Sequence, residues 1–143
     1  MAIIAGAFDG PPDTADADSH LIVIPREEWV RALNGFTRCH DGWLVSLDII
    51  PPQGTPQREF ENLPLLGVST DRLDHDGTLA ISVSRSRSEH LTHIVHSVER
   101  LSIERTAAGA DAALWIDAQD GTRTVLRFRV AALPETVDGL GCR

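Results

Sequence analysis

The chain has 143 residues, 42% of them hydrophobic and 24% charged, with a formal net charge of -8, which suits one globular domain with a real core. Every basic residue except histidine is arginine, and tyrosine is absent, so lysine-dependent phosphate loops, Schiff-base chemistry and tyrosine nucleophiles are excluded. Acids outnumber arginines, which disfavours generic nucleic-acid binding, because phosphate contacts need clustered positive charge.

Residues 1–20 carry Asp9, Asp13, Asp16 and Asp18 without an arginine, and residues 9–19 are rich in Pro, Asp and small side chains. Such a segment cannot bury enough apolar surface to offset its ordering entropy, so 1–20 is expected to be a disordered acidic leader. Met1 to Phe8 has no positive charge before it and does not read as a signal peptide. Leu21 to Ile24 is the longest wholly apolar stretch near the start, far short of the ~20 residues of a membrane span. The expected compartment is the cytoplasm, with no membrane partner, and the two cysteines, Cys39 and Cys142, are expected to be free thiols there.

Leu21–Ile24 reads as a short strand. Pro25 then opens a helix, where its missing N–H costs nothing, and Glu27 and Glu28 suit the first turn. Trp29, Leu33 and Phe36 follow at i, i+4 and i+7, one amphipathic face ending near Arg38. Trp43 to Ile50 is a strand with Trp43, Val45, Leu47 and Ile49 on one face. Three prolines at 51, 52 and 56 make the next segment a loop. Arg58 to Ser69 is a strand bent at Pro64 and Gly67, and Asp74 to Gly77 is a turn. Leu79, Ile81 and Val83 alternate with small residues, a clean strand.

His90 to Arg105 is one bent strand or two. Ala112 to Val130 is a β-hairpin turning at Asp120-Gly121. Leu126, Phe128 and Val130 are expected on its buried face, and Arg123, Arg127 and Arg129 on the other. The expected fold is mainly β (α+β): an N-terminal amphipathic helix and about six antiparallel strands in a small, partly open barrel or strongly bent sheet. A helix on one face of a flat sheet is the alternative. One β-rich domain is expected over 21–130, with a flexible tail over 131–143.

Four constellations are candidates for chemistry. His90, His93 and His96 form H-x-x-H-x-x-H, which on a helix would gather three metal ligands, joined by His75 or an acid. The β-branched neighbours Thr92, Ile94, Val95 and Val98 favour a strand, which turns His93 away from the other two. Asp71, Asp74 and Asp76 precede Gly77, but with Gly77 at the sixth position of a calcium loop the first and twelfth positions fall on Arg72 and Val83. The triplet Cys39-His40-Asp41 is a poor nucleophile set, since chain neighbours rarely orient as a triad. Arg123, Arg127 and Arg129, with Trp115 opposite Leu114 and Ile116, make an interface or anion patch, unless the arginines pair across strands with acids such as Asp48, Glu59, Glu61 or Glu104. Either Trp115 is exposed beside these arginines or the helix covers it.

At Ile24-Pro25-Arg26-Glu27-Glu28-Trp29, Gly42-Trp43-Leu44-Val45, Leu63-Pro64-Leu65-Leu66-Gly67-Val68 and Leu126-Arg127-Phe128-Arg129 the chain resembles a family of small bacterial proteins known only as a domain of unknown function. The resemblance covers roughly residues 22 to 129 and implies no activity, cofactor or catalytic residue. In element order alone, a helix followed by bent strands is similar to Sm-like barrels, which implies ring oligomers and RNA binding; the glycine-centred RNA signature of that family is not evident. The expectation drawn from the chain as a whole is a non-enzymatic binding or homo-oligomeric assembly module without a cofactor. A metal-binding protein or metal-dependent enzyme using the histidines, and an Sm-like RNA-binding protein, are the alternatives.

Overall fold

The computed structural model describes residues 19–70 and 77–132. Eight strands form one antiparallel sheet: β1 (His20–Val23), β2 (Leu44–Ile50), β3 (Gln57–Thr70), β4 (Leu79–Ser86), β5 (Glu89–Val95), β6 (Val98–Arg105), β7 (Asp111–Ala118) and β8 (Arg123–Ala132). Their order is β1-β6-β7-β8-β2-β3-β4-β5. A 3-10 turn, Arg26–Glu28, runs into the single helix of the described residues, α1 (Trp29–His40).

Strand number is thus eight rather than six. Of the two readings of 90–105, one bent strand or two, the structure has two strands, because Ser97 takes φ +55 and breaks the extended backbone. The pair β5 and β6 explains the shape of the sheet. These strands are joined by His96 and Ser97 alone, yet β5 is one end of the order and β6 stands next to the other end. Three peptide steps reach at most about 11 Å, so the two ends of the sheet must curl towards each other. No ladder joins β5 to β6, and the sheet stays open. The corner is pinned from both sides: the Val98 N–H donates to Gly77 O at 3.0 Å, and the Gln119 N–H donates to Ser97 O at 2.9 Å.

A second bend lies in β3. Its first half pairs with β2 and its second half with β4. The register slips between Leu65 and Gly67, near the expected bend, and Asn62 takes φ +53. Bulges of this kind bend a strand and increase its twist.

The concave face receives α1. Trp29, Leu33, Phe36 and His40 are buried, extending the predicted stripe by one turn. Trp29, Leu33 and Phe36 pack in one cluster with Leu47, Leu65, Ile81, Leu101, Leu114 and Leu126, the last six completely buried. The Trp29 indole N–H donates to Ile24 O at 2.9 Å, which closes the polar edge of an otherwise apolar contact. Thr37 fastens the helix to the second half of β3. Its hydroxyl donates to Val68 O at 3.1 Å and accepts from the Val68 N–H at 3.0 Å.

Three expectations change. Val130 lies exposed rather than on the buried face of the hairpin, past the end of the helix contact. Trp43 and Ile49 are only half-buried beside the fully buried Val45 and Leu47. Cys39 is disulfide-bonded, not free; the other cysteine, Cys142, and the expected tail over 133–143 lie outside the described residues, as do the segment 1–18 and most of the predicted turn at 74–77. Free thiols followed from an assumed reducing compartment, and disulfides persist where the compartment is oxidising.

Two measurements check this packing. A Cβ on Gly67 would stand 3.0 Å from the Thr37 methyl. Gly67→Val is therefore expected to push the helix off β3 and cost about 1–3 kcal/mol in urea unfolding. Iodoacetamide on the denatured, unreduced protein is expected to leave its mass unchanged and to add two adducts only after reduction.

Candidate functional site

Four places gather chemistry-bearing side chains: a charged array on the convex face, a buried histidine–aspartate pair, the histidines of β5 and the unpaired edge at β1. Strand register builds the first. Ser102, Trp115, Val125 and Asp48 lie directly opposite one another across β6, β7, β8 and β2, and Arg58 continues the row on β3. Cross-strand partners share a face, so Trp115 stands on the side of the sheet away from the helix.

Arg123 and Arg127 both lie over the Trp115 ring, their guanidinium carbons 5.1 and 5.6 Å from its centroid. The indole N–H donates to Glu104 Oε1 at 2.8 Å. Neither helix nor solvent alone covers Trp115, as had been expected; two arginines do. Each of them is also paired with an acid. Arg123 Nε meets Asp117 at 2.7 Å. Arg127 Nε meets Asp48 at 3.1 Å, and Arg58 grips the same carboxylate through two bonds of 2.7 and 3.0 Å. Burial pushes the Asp48 carboxyl up, but the hydrogen bonds and charges of Arg58 and Arg127 outweigh it and hold the group below the usual carboxylate range. Arg129 stands apart, exposed, with no ion pair among the described residues. The arginine row thus has its charge engaged across strands at two of its three positions.

The buried pair was not legible beforehand. His40 ends the apolar stripe of α1, four residues after Phe36, and its ring lies within 4.6–4.7 Å of the Phe36, Trp43 and Phe128 rings. Nδ1 is 2.8 Å from Phe36 O and Nε2 is 3.2 Å from Asp111 Oδ2. Both ring nitrogens therefore face oxygen acceptors, a geometry in which only a doubly protonated ring donates twice. Arg105 Nε approaches the other Asp111 oxygen at 2.8 Å. Burial raises the Asp111 carboxyl, and the bonds from His40 and Arg105 together overturn this and draw it below the ordinary value. The His40 and Asp111 side chains are 3% and 8% exposed, so the pair ties the end of α1 to the start of β7 and is sealed from substrate. Within Cys39-His40-Asp41, the cysteine is bonded and the histidine is engaged elsewhere.

His90, Thr92 and Ile94 pair with Ser84, Ser82 and Ala80, on the face opposite to that of the buried Ile81 and Val83. His93 pairs with Ile81 and so points to the other side, as strand geometry requires. Among the described residues no three His, Cys, Asp or Glu side chains gather in a way that could hold a metal ion; His75 lies outside them.

At the far end of the sheet, β1 is an edge strand, paired among the described residues only with β6. Leu21, Ile22 and Val23 are 49%, 38% and 56% exposed. Leu21 and Val23 pair with Glu104 and Ser102, which places them on the Trp115 face.

These features define an all-antiparallel β domain, curled around one N-terminal helix and ending in two edge strands, each paired on one side among the described residues. The chain belongs to the family of unknown function DUF5335, whose model matches residues 21–136. No curated protein and no solved structure matches it. No helix among the described residues is long and apolar enough to cross a membrane.

Because Asp111 titrates lower in the folded chain, its stabilisation is complete above the unfolded carboxylate value of 3.8 and is lost as pH falls through the lower folded value. Asp111→Ala is expected to cost about 3–5 kcal/mol near neutral pH, as breaking a buried pair does. It should also reduce the acid-side loss of stability, as measured by urea unfolding across the acid range.

Proposed function

We propose that this domain is a non-enzymatic binding and assembly module, and that two copies associate by antiparallel pairing of their β1 strands. The observation that carries this reading is the run Leu21-Ile22-Val23, exposed on a strand with one unpaired edge. Native proteins blunt such edges with charge, proline or a covering element; His20 to Val23 carries no carboxylate, arginine or proline. A two-fold axis through an antiparallel pair brings the same residues together from both copies, so an apolar strand is complementary to itself. Leu21 and Val23 of each copy would then extend the convex face beside Trp115.

The helix offers less. Its outward positions, Arg31, Asn34 and Arg38, are polar and exposed. The buried His40–Asp111 pair supports a binding role over a catalytic one, since it is spent on fixing the helix end and does not open to a ligand.

Native mass spectrometry and size-exclusion chromatography with light scattering test the reading. The untagged chain is expected to populate a dimer as its concentration rises. Leu21→Lys with Val23→Lys should leave a folded monomer, because like charges facing each other across a new ladder oppose pairing. A wild-type chain that stays monomeric at high concentration, or a double variant that still dimerises, would falsify this mode of assembly.

A further inference from the structure

The sheet's other edge has the opposite character. Among the described residues β5 is paired only with β4, and the β4–β5 hairpin concentrates cationic and protonatable groups on a chain of net charge -8. Over residues 84–96, Arg85, Arg87, His90, His93 and His96 stand against one acid, Glu89. Arg85 and Arg87 are exposed at the hairpin tip. Unlike Arg58, Arg105, Arg123 and Arg127, they make no ion pair among the described residues. Their positive charge is not engaged by another described residue.

β4 sets no charge against the histidines. Ser84 lies opposite His90 and Ile81 opposite His93, while Glu89 lies opposite Ser86. Beyond the corner, β6 begins with Val98, Glu99 and Arg100, one charge of each sign. Ile94 is 42% exposed on this edge and adds an apolar contact.

Charge decides the occupant. A second copy of β5 would bring another cationic hairpin, with its own Arg85, Arg87 and histidines, against this one, and like charges brought together across strands are destabilising. The β1 strand of another copy brings no acid. An extended acidic peptide meets both demands of the edge, its backbone completing the ladder and its carboxylates meeting the cations. We propose that the outer edge of β5, with Arg85, Arg87, His90 and His96, is a strand-addition site for an extended acidic segment of a partner protein. This names the partner within the binding-module reading and uses the edge opposite to the one proposed for self-association.

The test is fluorescence anisotropy of a labelled oligoglutamate peptide titrated with the full chain at low salt. Saturable binding is expected, together with slowed amide exchange over residues 89–95. Arg85→Glu with Arg87→Glu should weaken binding by at least about tenfold, and Arg85→Gln with Arg87→Gln by less, with the circular dichroism spectrum unchanged.

Absence of binding to the wild-type chain, or an affinity indifferent to the arginine reversals, overturns the proposal. So does a single-stranded RNA of equal charge binding as tightly, which would make the edge a general polyanion surface. The Leu21→Lys, Val23→Lys chain should bind the peptide as the wild type does. Failure of self-association and failure of peptide capture are thus read separately.

Discussion

His96 and Ser97 connect a strand at one end of the sheet to a strand beside the other end, and most of the architecture depends on that short link. A flat sheet of eight strands spaced about 4.8 Å apart would hold β5 and β6 far beyond the reach of two linking residues. The sheet must curl, and curling creates a concave surface that needs an apolar filler. α1 supplies it with Trp29, Leu33 and Phe36. The curl also leaves β1 and β5 without a common ladder, because α1 and the bent β3 take up the space a closed barrel would have filled with side chains from the strands alone. Closure would remove both edges; an open sheet retains both.

Polar groups are divided in a way that follows from this geometry. On the convex face the strands carry acids and arginines in register, and Asp48, Asp117 and Glu104 engage Arg58, Arg127, Arg123 and Trp115. Exposed pairs of this kind each contribute about 0–1 kcal/mol, so their main effect is to hold two guanidinium groups over the Trp115 ring, opposite which Val125 is completely buried. On the concave side one charged cluster enters the core, at the place where the end of α1 meets β7. There His40, Asp111 and Arg105 satisfy one another. A buried pair is a poor source of net stability but a strict one of position. At the end of a helix that otherwise slides on apolar contacts, position is what the fold lacks.

The sequence made part of this readable. Alternation in Leu79-Ala80-Ile81-Ser82-Val83 and in the Ala112–Val130 hairpin marks strands with one buried face, and the periodicity of Trp29, Leu33 and Phe36 marks the helix; apart from Val130 at the hairpin's end, the apolar positions of these patterns are buried or paired as required. The pattern fails wherever both faces are covered. Val125 looks like a misplaced apolar residue among arginines until Trp115 is laid beside it. The path of β3 is hidden because a bulge resets the period of two on which the reading depends, and the break between β5 and β6 rests on one residue with positive φ, Ser97, that composition does not announce. His40 could have been added to the helix stripe by its spacing from Phe36. Its partner Asp111 is brought to it only by tertiary structure, and no local signal marks it.

The two edges left by the curl carry opposite instructions, which argues that their difference is not incidental. An edge strand has unpaired backbone groups whatever its side chains, and every sheet that stops short of closure must deter indiscriminate pairing. Beside β5, Arg85 and Arg87 at the hairpin tip and the histidines of the strand supply charged and protonatable groups. At β1 the apolar run Leu21-Ile22-Val23 offers no such deterrent. The curl holds these two chemically different edges on different strands of one sheet, so that under the proposed reading a partner on either edge would leave the other's ladder open.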